Sequence, residues 1–359
     1  FRRVKNISQK RNRCPFVKER EQGRMREEKI TIVGAGRMGR GISLFFAYAG
    51  YPVSVLDAKD RPDREREKLF KDVYDELNRH LSVLTYANLV DSKMVDVILG
   101  RITCHGKEEG EQILQNSDFV FEAVPEILSV KEEVLSWVSV HVPNQTIIAS
   151  TTSSFQVDTL AQFVQEPAQF INTHWLNPAY LIPLVEVSPG RATGEETLRR
   201  MLALLKEAGK IPVTCAPSPG FIVPRLQALA MNEAARLVEE GVASVEAIDT
   251  AVKVGFGVRF AVLGLLEFID WGGADILYYV DNYLVDALGD DRFRAPAILE
   301  KKMKSGETGM KSGKGFYNFS SIDLAAYQKE TISKFVHLLK HLQLIKPPFG
   351  NGELNKERG

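Results

Sequence analysis

The stretch KITIVGAGRMGRG, residues 29–41, decides how the first half of this chain folds. Its apolar residues 30–33 predict a short buried strand of a parallel sheet. Apolar residues at helical spacing then run from residue 37 to a closing Gly50, which is typical of a helix C-cap. Between strand and helix, three glycines occupy six positions: Gly34, Gly36 and Gly39.

A second predicted strand, residues 52–56, ends in Asp57, 23 residues after Gly34. A strand, a glycine-rich turn, a helix and an acid after the next strand form the fingerprint of a dinucleotide-binding βαβ unit. Gly34 allows the tight turn, and Gly36 lets a pyrophosphate reach backbone N–H groups at the helix N-terminus. Gly39 lets helix and strand pack closely.

The acid at the end of the second strand also indicates which cofactor binds. Asp57 can accept hydrogen bonds from the ribose hydroxyls of the adenosine, and its charge repels a 2′-phosphate. We therefore predict NAD rather than NADP, although Lys59 and Arg61 lie nearby and weaken that preference. The alternative is a tight βα turn that binds nothing.

Predicted strands and helices alternate up to about Cys215, and the pattern is helical after the segment APSPG, residues 216–220. This order predicts an α/β fold, a Rossmann-type doubly wound sheet followed by an all-helical C-terminal domain. We expect an NAD-binding domain over residues 25–216 and a helical domain over 217–320. Residues 321–359 are expected to form a tail without a recognisable motif.

Charge and composition exclude several classes of protein. Residues 1–24 hold nine Lys/Arg and two Glu; removing them from the 46 basic and 46 acidic residues of the chain leaves 37 and 44, a net charge of −7. An acidic body argues against nucleic-acid binding. We expect the natural start at Met25, with residues 1–24 a disordered or mis-assigned extension; a mitochondrial transit peptide is the alternative.

No apolar run reaches the roughly 18–20 residues of a membrane span. The three cysteines of the chain are far apart and fit neither a zinc site nor a disulfide framework. We therefore predict no metal, no membrane and a cytoplasmic setting.

Histidine suits the oxidation of an alcohol, because it can take the hydroxyl proton at neutral pH. Of six histidines, His174 follows a predicted strand that ends at Asn172, at the carboxyl edge where ligands collect. Glu186 lies in an apolar strand twelve residues later and could orient an imidazole. The alternatives are a structural histidine and a solvated edge strand. The hydroxyls of residues 151–154 could contact a substrate or cap a helix near Val157.

Seven segments together resemble the L-3-hydroxyacyl-CoA dehydrogenase family, in the right order over about residues 29–320. They are GAGRMG (34–39), EAVPE (122–126) followed by Lys131, STTSS (150–154), THWLNP (173–178), PLVEV (183–187), SPGFIVPR (218–225) and KSGKGFYNF (311–319).

The resemblance implies NAD-dependent oxidation of a 3-hydroxyacyl-CoA, a His174–Glu186 catalytic dyad and a homodimer built by the helical domain. It implies an active site in the interdomain cleft. The substrate would meet Ser153 and Asn177. The implied cofactor-binding residues are Gly34, Gly36, Arg37, Met38, Gly39, Asp57, Glu126, Lys131 and Ser153.

Two departures bear on the substrate. Pro224 stands where the family usually has an asparagine. A helical hairpin is predicted between Asp57 and about Arg101, and its Lys68 and Lys71 lie among acidic residues. The short-chain substrate 3-hydroxybutyryl-CoA is the leading expectation. A free 3-hydroxy acid is second, since parts of the chain are similar to the gulonate and carnitine dehydrogenase branch; Arg259 or Arg225 would then meet its carboxylate. A crystallin-like structural protein that binds NADH is the alternative of another class.

Overall fold

The computed structural model describes residues 26–346. The predicted extension over residues 1–24 and the start at Met25 lie outside the described residues, as does the end of the predicted tail. The chain divides into two compact units, and the division falls between Leu229 and Ala230. The expected domain boundary near residue 216 stays a prediction.

The first unit contains one sheet of eight strands in the order β3-β2-β1-β4-β5-β6-β7-β8. Strands β1 to β6 run parallel, β7 is antiparallel to β6, and β8 is parallel to β7. The strands are β1 Ile30–Val33, β2 Val53–Leu56, β3 Ile102–His105, β4 Phe119–Glu122, β5 Ile147–Ser150, β6 Phe170–Trp175, β7 Leu184–Pro189 and β8 Ile211–Thr214.

Helices connect these strands and cover both faces of the sheet. They are α1 Arg37–Ala49, α2 Asp63–Tyr86, α3 Val95–Leu99, α4 Gly110–Leu114, α5 Leu128–His141, α6 Val157–Leu160 and α7 Glu195–Ala208. Two separate apolar clusters result, one that includes α1, α2 and α7 and one that includes α5 and α6. The predicted α/β class is confirmed, because parallel strands with helices on both faces are the doubly wound arrangement.

The described part of the second unit is built mainly of helices, with two isolated β-bridges among residues 309–318. Helix α8, Val223–Glu239, crosses from the first unit, and the remaining helices are α9 Val245–Ala251, α10 Gly257–Phe260, α11 Leu265–Gly272, α12 Ala274–Leu288, α13 Ala297–Ser305 and α14 Leu324–His341, with a π-helical turn over Val252–Phe256. Within residues 26–346, no helix combines the length and apolar character that crossing a membrane requires.

One local expectation was wrong. Strand β6 continues to Trp175 instead of ending at Asn172, so His174 lies inside the strand. The region after Ser320, in which the sequence shows no recognisable motif, contains helix α14, and the Asp323 side chain caps it by accepting a hydrogen bond from the Ala326 N–H, 3.1 Å.

Candidate active site

The glycine-rich turn lies between β1 and α1, and its glycines have different roles. Gly34 has a φ of +116°, and a Cβ there would lie 2.7 Å from the Ala123 carbonyl oxygen. A Cβ on Gly39 would lie 1.9 Å from the Gly34 oxygen, so both positions require glycine for packing. A Cβ on Gly36 would meet nothing within 4 Å. The space beside the N-terminus of α1 is therefore open where an anionic group can approach the backbone.

The acid at the end of β2 is buried and paired. Asp57 is only 4% exposed. Its Oδ2 lies 2.6 Å from the Arg61 Nε, and its Oδ1 accepts a hydrogen bond of 3.3 Å from the Lys59 N–H. A bound ribose must share this carboxylate with Arg61. Of the two neighbouring cations noted in the sequence, the Arg61 guanidinium thus contacts Asp57 directly, whereas Lys59 does so through its backbone N–H.

A buried ion pair joins Glu122, the last residue of β4, to Lys131 of α5. Lys131 was predicted from the sequence as a site residue, whereas Glu122 was not. The Lys131 Nζ lies 2.8 and 2.9 Å from the two oxygens of Glu122, and neither residue is more than 1% exposed. Ser150 donates to Glu122 Oε2 at 2.6 Å, and the Val124 N–H donates to Oε1 at 2.9 Å. The signal for Glu122 was present, since it is the last residue of an otherwise apolar strand.

Glu126 organises the loop that follows β5. Its Oε1 accepts hydrogen bonds from the Thr152 hydroxyl, the Ser154 hydroxyl at 2.7 Å, and the Ser153 and Ser154 N–H groups at 3.1 and 2.9 Å. Burial acts to raise the pKa of Glu126, but the bonds from Thr152 and Ser154 and the charge of Lys131 outweigh it and lower the pKa to about 2. The residues of this loop do not cap α6, because its N-cap is Gln156, without a side-chain bond.

The antiparallel pairing of β6 and β7 places His174 directly opposite Glu186. The His174 Nδ1 lies 2.7 Å from Glu186 Oε2, and the two residues are 4% and 0% exposed. Strand β7 has a neighbour on each side, so the alternative of a solvated edge strand is wrong. The imidazole is held at one nitrogen, and its Nε2 makes no hydrogen bond to the described residues.

The second oxygen of Glu186 is held by the start of the helix that follows β8. The N–H groups of Ile222 and Val223 donate to Oε1 at 2.8 and 2.9 Å. Pro224 is the second residue of α8, where an N–H has no acceptor within the helix, so proline is tolerated there. Both carboxylate oxygens are satisfied, which keeps a buried charge in place.

The remaining predicted site residues are less constrained. Ser153 and Asn177 are exposed, and neither side chain makes a hydrogen bond to the described residues. Arg37 is exposed, and Met38 packs partly against the core. Arg259 belongs to the second unit, where its guanidinium lies 5.7 Å from the centre of the Phe268 ring. The structure therefore brings together two groups, Glu126 with Ser153 and Lys131, and His174 with Glu186.

Comparisons with known proteins identify the family. The model of the 3-hydroxyacyl-CoA dehydrogenase NAD-binding domain matches residues 29–218, and that of the C-terminal domain of the same enzymes matches residues 220–319. This chain belongs to the 3-hydroxyacyl-CoA dehydrogenase family. The resemblance noted in the sequence, the enzyme class and the NAD cofactor are thereby confirmed.

Three relatives show the range of this dehydrogenase family. A probable 3-hydroxybutyryl-CoA dehydrogenase of Deinococcus radiodurans is 35% identical over 81% of this chain and 100% of its own. A 5-formyl-3-hydroxy-2-methylpyridine 4-carboxylate 5-dehydrogenase of Mesorhizobium japonicum is 30% identical over 88% of this chain and 98% of its own. The crystal structure of a 3-hydroxyacyl-CoA dehydrogenase from Archaeoglobus fulgidus superposes with a TM-score of 0.69, at 30% identity, over 89% of this chain and 100% of that one.

The residues of this dehydrogenase fit NAD. Gly36 leaves space for the pyrophosphate at the N-terminus of α1, and Asp57 lies at the end of β2, on the same edge of the sheet, within reach of a ribose hydroxyl. Glu126 and Lys131 follow β4 on that edge. Their contact with the nicotinamide half of the cofactor stays a prediction.

Proposed function

We propose that the protein oxidises the hydroxyl group of L-3-hydroxybutyryl-CoA to a ketone with NAD, and that His174 is the general base. One observation carries the proposal, the His174–Glu186 pair at the carboxyl edge of the sheet. A buried imidazole with one nitrogen fixed by a carboxylate, and the other without a hydrogen bond to any residue from 26 to 346, is suited to take a proton from a substrate.

The residues of the chain divide the chemistry between them. NAD, when bound, accepts the hydride from the substrate carbon. The His174 Nε2 takes the hydroxyl proton, and Glu186 stabilises the positive charge that develops on the imidazole. The exposed Ser153 hydroxyl is available to the substrate oxygen, and Glu126 fixes the backbone on which it sits.

Helix α2 supplies a reason to retain a CoA ester as substrate. Arg64, Lys68 and Lys71 recur at four- and three-residue spacing, so they share one face of the helix. All three are exposed, and none makes an ion pair with the described residues. Asp72 and Asp75 are exposed nearby, which explains why composition alone made the helix look unsuited to phosphate. Three unpaired cations are a suitable contact for the phosphates of CoA.

The test is NADH formation across a panel of substrates. It contains 3-hydroxybutyryl-CoA, its N-acetylcysteamine thioester, a longer hydroxyacyl-CoA, free 3-hydroxybutyrate, L-gulonate and L-carnitine. We expect the highest kcat/KM with 3-hydroxybutyryl-CoA, and His174→Ala should lose about 10²–10⁴-fold in kcat while still binding NADH. A variant with both Lys68→Ala and Lys71→Ala should raise KM for the CoA ester and leave the truncated thioester unchanged. No turnover of any member would instead favour the structural, NADH-binding alternative.

A free hydroxy acid is the second candidate, and the Mesorhizobium relative supports it because its name denotes action on a pyridine carboxylate. The carboxylate of a free acid requires a cation. Arg259 is exposed and stacked on Phe268, and we assign it this role for the second candidate. Arg259→Met should then raise KM for the acid steeply while NAD binding is unchanged.

We further propose that the protein is a homodimer built by the second unit. Among the described residues, the buried apolar cluster of that unit is formed by Ala274, Ala295 and Leu299, with three partly buried side chains packed against it. Met231 and Tyr283, in contrast, are each 69% exposed. So small a core beside exposed large apolar side chains suits an interface with a second copy. Light scattering after size exclusion measures the mass directly, and a monomer at micromolar concentration would contradict the proposal.

The proposed compartment is the cytoplasm. The described cysteines, Cys104 and Cys215, are both free thiols. Unpaired thiols are typical of a reducing compartment, which supports this location. Fractionation of cells that produce the full chain would test it.

A further inference from the structure

Phe221 has a backbone conformation that phenylalanine rarely adopts. Its φ is +47°, in the left-handed region, which bulky residues enter only when their surroundings force it. The other two described non-glycine residues with positive φ are Asn88, a residue type that tolerates this region, and Gln343 in the last described turn. Phe221 is only 7% exposed. Glycine would fit this backbone without strain, so the aromatic ring itself has a use.

The left-handed turn directs three groups of one short segment onto the two residues of the dyad. The Phe221 ring stacks on the His174 imidazole, with ring centroids 4.8 Å apart and an angle of 15° between the planes. The next two N–H groups, of Ile222 and Val223, donate to Glu186 Oε1. Phe221 thus stacks on the His174 imidazole and begins the segment whose N–H groups bind the Glu186 carboxylate.

The stacked ring restricts the one motion that the hydrogen bond to Glu186 leaves open. That bond fixes the Nδ1 atom of His174, but the imidazole can still tilt about the bond. A flat ring stacked nearly parallel to the imidazole, with its centroid 4.8 Å away, restricts the tilt and keeps Nε2 in one direction.

We propose that Phe221 is a positioning residue that holds the His174 imidazole by stacking on it. The proposal rests on the proposed role of His174 as the base. A tilt that displaces Nε2 by about 1 Å costs about 10²-fold in rate. Phe221 should therefore act on kcat, because it touches the base and leaves the groups that bind NAD and substrate unchanged.

The test compares Phe221→Leu and Phe221→Met, which remove the flat ring but keep apolar bulk, with Phe221→Tyr, which retains it. We expect the first two to lose about 10- to 100-fold in kcat, with KM for NAD and for 3-hydroxybutyryl-CoA changed less than about two-fold. Phe221→Tyr should restore most of kcat. Phe163→Leu makes the same substitution at a half-buried phenylalanine away from the dyad and should leave turnover unchanged.

A readout independent of turnover is the downfield proton NMR signal of the His174 Nδ1–H, assigned by its loss in His174→Gln. It should broaden or move in Phe221→Leu and stay in place in Phe221→Tyr. An unchanged signal and kcat in both Leu and Met variants, with His174→Gln inactive, would overturn the role of Phe221 and leave the dyad standing. An active His174→Gln would overturn the proposed base itself. Equal loss in Phe221→Tyr and Phe221→Leu would refute stacking as the cause.

Discussion

The substitution Glu186→Gln should lower kcat strongly, because it forces His174 into the wrong tautomer. In the native protein, Glu186 Oε1 accepts two backbone hydrogen bonds, from Ile222 and Val223, and Oε2 faces the His174 Nδ1. A glutamine at this position must keep its oxygen toward the two N–H groups. Its NH₂ group then faces Nδ1 and donates to it, so the ring proton moves to Nε2. The nitrogen that should accept the substrate proton is already protonated.

The size of the effect follows from the alternative arrangement of the amide. To restore the productive tautomer, the glutamine must turn its oxygen toward His174 and leave two buried N–H groups without an acceptor. Each such group costs about 1–3 kcal/mol, so the productive form lies about 2–6 kcal/mol higher. At about 1.4 kcal/mol for each factor of ten, kcat should fall by about 30- to 20,000-fold.

The assay is steady-state NADH formation at saturating substrate, with NADH binding followed by fluorescence as the control for the cofactor site. The decisive comparison is Glu186→Ala, which removes the carboxylate but lets His174 choose its tautomer. We expect Glu186→Ala to turn over faster than Glu186→Gln, although its change in side-chain volume is larger. The tautomer argument is wrong if Glu186→Gln retains more than about a tenth of the wild-type kcat. The loss would then be smaller than two buried N–H groups without an acceptor predict.

Three further predictions concern the cofactor end of the site. Asp57→Ala should weaken NAD binding and admit NADP, because Arg61, now 2.6 Å from that carboxylate, becomes free to meet a 2′-phosphate; titration with both cofactors measures this, and an unchanged preference would contradict it. Lys131→Met should cost about 3–5 kcal/mol in urea unfolding, because it leaves a buried carboxylate unpaired. The surface ion pair of Lys107, whose Nζ lies 3.8 Å from its partner carboxylate, provides the control. Lys107→Met should cost less than about 1 kcal/mol. Equal costs for the two variants would refute the distinction between the buried and the surface pair. Glu126, with a pKa lowered from 4.5 to about 2 in the fold, should stabilise the protein fully above pH 4.5 and lose this contribution as the pH falls toward 2; the difference in unfolding free energy from Glu126→Gln should shrink only in that window.

The α/β fold was predictable because its signals are local. Residues 30–50 carry an apolar strand, a turn of obligatory glycines and a helix with a glycine after its end, and each signal needs only its sequence neighbours. The helix predicted from residue 37 to the closing Gly50 matches α1. A pattern that every neighbouring residue supports leaves few alternative structures.

The contacts inside the site were harder to predict, because they join residues distant in sequence. Glu122 and Lys131 lie nine residues apart, and only the fold places both at the same buried point. The ring of Phe221 reaches His174 through a left-handed turn that the sequence does not announce, since phenylalanine is not a residue type that predicts one. Helix α14 was not predicted, although about half of its residues are apolar.

The reversal of strand β7 explains why the dyad lies at the edge of the sheet where ligands bind. Strand β7 is antiparallel to β6, and β8 is parallel to β7. Because β7 runs the other way, its third residue, Glu186, pairs with His174, the fifth residue of β6. Glu186 then meets the N–H groups of Ile222 and Val223. These two N–H groups precede Pro224 in the chain and satisfy one oxygen of the carboxylate, so the proline removes no hydrogen bond from the dyad. The departure from the family pattern at Pro224 therefore leaves the hydrogen bonds of the dyad intact.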